Sequence, residues 1–274
     1  MDIFDTLFSE SLQDLWISTA FIIVTLIISE IFRVIIYYIF KGREGVTKKL
    51  INEFIATGEL CACCFELCII ADNYGIHAYA TYLFLLTVWW SYRWGDASAC
   101  PYTHIEDLLQ GQATFKYVLL VVFVQVFSGW AIYPFYVKKF WLMQYERKHV
   151  EHVEACSADL TVPAMHGAVI EGLSTCMCQL TGRVMSRLNP KHGIPITAVI
   201  GTTLVVAAFD MSGGYFNPVL ATSLQFNCGE ITRTEHFEVY WLGAIIGSIL
   251  SVLIWHSTTL SRKLLGDITR IKID

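Results

Sequence analysis

Charge is what this chain has least of. Only 16% of its 274 residues are Asp, Glu, Lys or Arg, against 55% hydrophobic, which is too little charge to solvate a water-soluble domain of this length. The formal net charge of −5 and the lack of any dense basic run leave no footprint for nucleic acid, so no nucleic-acid partner is expected. No Asn-x-Ser/Thr sequon marks an extracytosolic loop. The nine cysteines are odd in number and lie mostly within apolar runs, so they outline no disulfide framework. No nucleophile, base and orienting group stand in a recognisable motif, so an enzyme is not expected and no cofactor is implied.

What the chain does have is long apolar runs. Residues 1–14 form an acidic segment with Asp2, Asp5, Glu10 and Asp14, read as an amino-terminal tail. Residues 15–40 then make a first membrane span, with Glu30 and Arg33 spaced to pair on one helix face. Basic residues follow this run instead of preceding it, which argues for a retained span over a cleaved signal peptide. Six further spans are predicted at about residues 51–71, 77–94, 115–137, 163–183, 194–211 and 239–257, each near the ~20 residues that cross a bilayer. Two apolar segments, 100–111 and 217–226, are too short to cross. At ~1.5 Å per residue each covers roughly half of a ~30 Å hydrocarbon core.

These short segments belong to a repeat. Glu53-x-x-x-Thr57 precedes Cys100-Pro101 by 47 positions, and Glu171-x-x-x-Thr175 precedes Asn217-Pro218 by 46. Gly129 then follows Cys100 by 29, and Gly247 follows Asn217 by 30. Three landmarks in one order at near-equal spacing indicate a duplicated unit. An odd number of spans in each copy inverts the second relative to the first, so the two half-helices enter from opposite faces.

The groups Lys41–Lys49, Arg183/Arg187/Lys191 and Arg262–Lys272 fall on one side, which is therefore cytosolic. Lys138, Lys139, Arg147 and Lys148 dissent, although their loop also carries Glu146, Glu151 and Glu154. His149 and His152 in that loop read as a solvated surface.

Glu53 and Glu171 sit in apolar spans, where an ionised group costs ~2.5 to 3.5 kcal/mol unless partnered. Their matched places suggest that each accepts N–H bonds from the non-helical loop of its own repeat, where backbone must be satisfied by protein or water. Cys61, Cys64 and Cys68 share a helical face but lie in a predicted span, where small cysteines pack helices, so no metal site is expected there.

With Glu53 and Glu171, Asp210-x-x-Gly213-Gly214-x-x-Asn217-Pro218 and Tyr240-Trp241-x-Gly243 in view, residues 50–258 resemble the aquaporin superfamily. The unusual first motif and the Cys61–Cys64 stretch resemble its unorthodox intracellular branch, the superaquaporins. The resemblance implies an all-α membrane protein, an inverted repeat of six transmembrane helices (repeats 50–137 and 163–258) with two re-entrant half-helices, plus the extra amino-terminal helix and a cytosolic tail at 259–274. It implies pore motifs Cys100-Pro101-Tyr102 and Asn217-Pro218-Val219, and filter positions Val205, Gly214 and Leu220, the last standing where an arginine is usual. It also implies a passive channel for water or small neutral solutes such as glycerol and hydrogen peroxide, a homotetramer in lipid, and an intracellular membrane such as the endoplasmic reticulum, with the plasma membrane as alternative. Arg270-x-Lys272 loosely matches a dibasic retrieval signal. The rival expectation is a non-conducting scaffold or adhesion protein on the same fold.

Overall fold

A computed structural model describes residues 3–188 and 192–257, with side chains from residue 12 onward. The tail at 259–274, with Arg270 and Lys272, and residues Asn189, Pro190 and Lys191 lie outside the described residues. All regular structure among the described residues is helical.

Helix α1 runs Ile3–Ile39. It absorbs the acidic segment expected as a separate tail, because no glycine or proline occurs in the first 40 residues to stop it. It ends where Lys41 and Gly42 turn left-handed, at φ 51° and 70°. Trp16 and Tyr37 are exposed near its two ends, roughly 32 Å apart along the axis at ~1.5 Å per residue. That spacing suits aromatic anchors at two membrane interfaces.

Helix α2, Val46–Arg93, has 48 residues and would be ~72 Å long if straight. Gly75, at φ 76° and ψ 179°, divides it. Contacts with α1 show that the chain doubles back there. Ser18 reaches Glu66 while its neighbour Thr19 reaches Tyr82, and Arg33 reaches Glu59 while Glu30 reaches Arg93. The first arm of α2 is therefore antiparallel to α1 and the second arm parallel to it. Glu30, Arg33, Glu59 and Arg93 form a neutral four-charge network at this seam, so each buried charge has its partner.

After α3, Pro101–Leu109, comes α4, Phe115–Ile132. The helix widens to a π turn over Tyr133–Val137 and continues as α5, Lys138–Trp141. Pro134 lies inside the wide turn, where the altered ladder accommodates its missing N–H. A short helix α6, Arg147–Glu154, precedes α7, Ala164–Leu188, and α8, Gly193–Ser212. Then follow α9, Pro218–Gln225, and α10, Arg233–His236, which runs through a π segment at Phe237–Gly243 into α11, Ala244–His256.

Five of these helices are long and apolar enough to cross a membrane: Leu12–Ile39, Val46–Arg93, Phe115–Trp141, Gly193–Ser212 and Arg233–His256. Helix α7 has the length, with 25 residues, but is more polar. Large apolar side chains such as Ile27, Phe123, Trp130, Leu173 and Leu253 face outward, as lipid contact requires.

Helices α7 and α11 cross backbone against backbone. A Cβ added at Gly247 would lie 1.9 Å from the Gly172 carbonyl oxygen, and one at Gly243 2.7 Å from that of Ala168. The spacing Gly243-x-x-x-Gly247 thus lets two backbones touch.

Two expectations need correction. Cys156 and Cys228 are joined in a disulfide; they stand 72 residues apart in the chain, beyond any spacing rule. The face carrying them belongs to an oxidising compartment, which agrees with its lying opposite the side assigned as cytosolic from Lys and Arg. Also, His149 is fully buried, not solvated, because α6 turns it and Glu146 inward against α2. The remaining cysteines are free.

Candidate pore

The two short helices begin from two loops of the same construction. In the first, Glu53 Oε1 accepts the Ser98 N–H at 2.9 Å and Oε2 accepts the Ala99 N–H at 3.0 Å. In the second, Glu171 Oε1 accepts the Tyr215 N–H at 3.1 Å and Oε2 accepts the Phe216 N–H at 2.6 Å. Side chains complete each site. Gln125 Nε2 donates to Glu53 at 2.8 Å with His104 at 3.0 Å, and Ser212 Oγ donates to Glu171 at 2.7 Å. Both carboxylates are almost wholly buried.

The residue whose N–H meets Oε2 is left-handed in both loops, Ala99 at φ 51° and Phe216 at φ 47°. Neither is glycine, so each conformation costs on the order of 1–3 kcal/mol and must be held by its surroundings. The carboxylate holds it. Thr57 and Thr175, one turn beyond the glutamates, are both buried with hydroxyls that find no partner.

Each left-handed residue is followed by an extended N-cap, Cys100 (φ −144°) or Asn217 (φ −148°), and then by Pro101 or Pro218 at the first helical position. Proline suits that place because its missing N–H would be unpaired there anyway. The caps differ in chemistry. Asn217 Oδ1 accepts from Val219 N at 3.1 Å and Leu220 N at 3.4 Å, whereas the Cys100 side chain caps nothing. Asn217 Nδ2 donates to the Ala99 carbonyl at 2.8 Å. This bond brings the two helix N-termini together and leaves one of the two Nδ2 hydrogens for a further acceptor.

Each half-helix packs on the other half of the chain. Ser223 on α9 donates to the Gly129 carbonyl on α4 at 2.7 Å, where Val219 also presses close. Glu106 on α3 is buried against Ser248 on α11 and pairs with Arg183 on α7.

Of the remaining sequence-picked positions, Gly214 lies against the Val205 backbone, so closely that a Cβ would be 2.7 Å from the Val205 oxygen. Val205 and Leu220 both pack on the main apolar cluster. Tyr102 is buried with Cys100 against Ala244 on α11.

Some of the site was not found by motif. Tyr79 on the second arm of α2 meets Phe209 on α8 edge to face, with centroids 4.9 Å apart, one turn from Val205. Asp159 accepts from the Tyr215 hydroxyl, and its own N–H donates to Gln225 at 3.0 Å. Burial raises the Asp159 carboxyl above the usual range, against the lowering effect of the Tyr215 bond. With the Cys156–Cys228 disulfide, Asp159 ties the connecting loop onto the second half-helix.

Comparison with known proteins gives a consistent set. The chain is 28% identical over 214 residues to aquaporin-11 of Milnesium tardigradum, covering 77% of each protein. It is 26% identical over 209 residues to aquaporin-12 of Mus musculus, covering 73% of this chain and 72% of that one. With human aquaporin-11 it shares 25% over 215 residues, 77% and 78% of the two chains. No family model matches. Among solved structures, the X-ray structure of the aquaglyceroporin from Plasmodium falciparum superposes with a TM-score of 0.59, covering 80% of this chain and 99% of that one at 13% identity.

Proposed function

We propose, from the premise that this chain is an aquaporin-superfamily channel of the eleven/twelve branch, that it passes small neutral solutes, among them hydrogen peroxide, glycerol and water. Its site is an intracellular membrane such as the endoplasmic reticulum, where it assembles as a homotetramer with a pore in each subunit. The observation that carries the channel reading is the meeting of two carboxylate-braced half-helix N-termini at Asn217 and Ala99.

In this reading the seven-span chain has a channel domain at residues 50–258. Two helix N-termini face one point, so their partial positive charges oppose cations and protons there. The free Nδ2 hydrogen of Asn217 orients a passing oxygen. Cys100 offers only a weak donor, so the opposite wall is less polar. Val205, Gly214 and Leu220 form an apolar constriction on the non-cytosolic side, and Tyr79 and Phe209 make it partly aromatic. Tyr102 narrows the cytosolic approach from its seat on α11. Without an arginine at Leu220, the constriction lacks fixed donors that would replace water's lost hydrogen bonds.

The test is stopped-flow flux of hydrogen peroxide, glycerol and water into vesicles holding the purified chain. Flux of at least one solute above empty vesicles is expected, with water slow relative to the others. No flux of any solute in a folded preparation would overturn the channel reading in favour of a scaffold.

A further inference from the structure

Away from the half-helices, four side chains from three separate segments converge in the interior: Ser18 of α1, Glu66 of the first arm of α2, and Glu146 and His149 at the start of α6. All four are buried. One oxygen of each carboxylate turns to a common point. His149 Nε2 is 2.9 Å from Glu66 Oε1 and 3.6 Å from Glu146 Oε2, and Ser18 Oγ is 2.7 Å and 3.4 Å from the same two oxygens. The other oxygen of each carboxylate is anchored from outside, Glu66 Oε2 by the Trp141 indole at 2.9 Å and Glu146 Oε1 by the Asn73 amide.

We propose that Glu66, Glu146 and His149 are the ligands of a divalent metal site, of the zinc class, that pins the extra helix α1 and the inter-repeat segment to α2. Three considerations lead there.

Geometry is the first. Donor bonds of ~2.0 to 2.1 Å in a tetrahedral site put ligand atoms about 3.3 Å apart, and the four spacings above bracket that value. Small shifts would open the cluster around an ion, with Ser18 beside the fourth position.

Charge is the second. Two buried carboxylates meet there, and among the described residues their only ion-pair partner is His149. At most one positive charge therefore faces two buried negative ones, and a divalent ion would balance both carboxylates.

The outer contacts are the third. Trp141 and Asn73 fix the orientation of both carboxylates, and the His149 ring stacks on Trp141 at 12° between planes. Carboxylates that ligate metals are hydrogen-bonded in this way. One nitrogen and two carboxylates suit zinc better than calcium, which takes six to eight oxygens.

The full chain, carrying no histidine tag, would be purified in detergent, loaded with zinc chloride, desalted, and its metal counted by mass spectrometry beside its thermal midpoint. About one zinc per chain is expected, with a higher midpoint than in chelator. Glu146→Gln, which removes charge without removing bulk, should weaken zinc binding tenfold or more, as should His149→Gln. His152→Gln should not, because His152 pairs with Asp72 outside the cluster. Less than a tenth of an equivalent in the parent with no midpoint shift would overturn the site. So would equal retention in the Glu146→Gln, His149→Gln double variant, or calcium raising the midpoint as much as zinc. Solute flux does not enter the readout, so the channel reading stands or falls separately.

Discussion

Ala99 and Phe216 hold the same left-handed backbone conformation, each one residue before a half-helix cap and each giving its N–H to the second oxygen of a glutamate. Two unlike residues in one uncommon conformation indicate that the loop shape is imposed by its surroundings. Ala99→Gly should therefore raise thermal stability or leave it unchanged, since glycine removes a left-handed penalty of about 1 kcal/mol. Ala99→Val should lower it by more than that. The comparison is a detergent melting curve, and a less stable Ala99→Gly with an unaffected Ala99→Val would remove the strain argument.

Glu171 accepts from two loop N–H groups and one hydroxyl. Glu171→Ala strands these donors at ~1–3 kcal/mol each, so the yield of folded protein and the flux should fall together. Glu171→Gln keeps one acceptor and should be intermediate. Full flux from a stable Glu171→Ala protein would mean that the loop needs no brace.

Gly247→Ala puts a methyl group 1.9 Å from the Gly172 carbonyl, with backbone on both sides and nothing flexible to yield. Destabilisation of about 3 kcal/mol is expected, the upper end for overpacking. Gly201 has nothing within 4 Å, and Gly201→Ala should stabilise α8 by about 0.5–1 kcal/mol. Melting curves of the two variants run side by side check both signs.

If Leu220 lines the proposed apolar constriction, Leu220→Arg adds width-reducing bulk and donors to it. Glycerol flux should drop at least tenfold and water flux by much less. Equal loss of both, in a protein of unchanged melting point, would place Leu220 outside the constriction.

Asp159 supplies a pH dependence. Its folded pKa is raised above the ordinary 3.8 by burial, so the folded state binds this proton more tightly than the unfolded chain does. Its contribution to stability is fully present below that ordinary value and is lost as pH rises through the raised folded value. Asp159→Asn still accepts from Tyr215 and should remove that fall. A parent and a variant with parallel stability-against-pH curves would show that Asp159 ionises freely.

How much of this was legible in the sequence depends on whether a partner was local. Glu53, Glu171, Asn217 and the prolines after each cap could be found because the repeat places them twice at matching intervals. The neutral seam of Glu30, Arg33, Glu59 and Arg93 was only half visible, as Glu30 and Arg33 are three apart while their other partners come from α2. Ala99 and Phe216 carry no signal, because a left-handed residue that is not glycine is dictated by the fold around it. His149 read as surface because its neighbours are charged, and only the packing of α6 onto Glu66 and Trp141 shows otherwise. The bond from Asn217 to Ala99 spans 118 residues, and no motif foretells it.

The exchange of half-helices between halves bears on how the chain is made. Glu106 lies on the first half-helix, yet the Ser248 hydroxyl that meets it comes 142 residues later, on the last described helix. During synthesis the first half-helix therefore enters the bilayer with a carboxylate whose partners on α7 and α11 have not yet emerged. Domains ordinarily fold from the amino end as they leave the ribosome, but here the first pore loop waits for almost the whole polypeptide. A chain truncated before α7 would hold an unpaired acidic group at membrane depth, and one truncated before α11 would have Arg183 beside Glu106 but still lack the Ser248 hydroxyl, so the first half is marked chemically as incomplete until the second half is made.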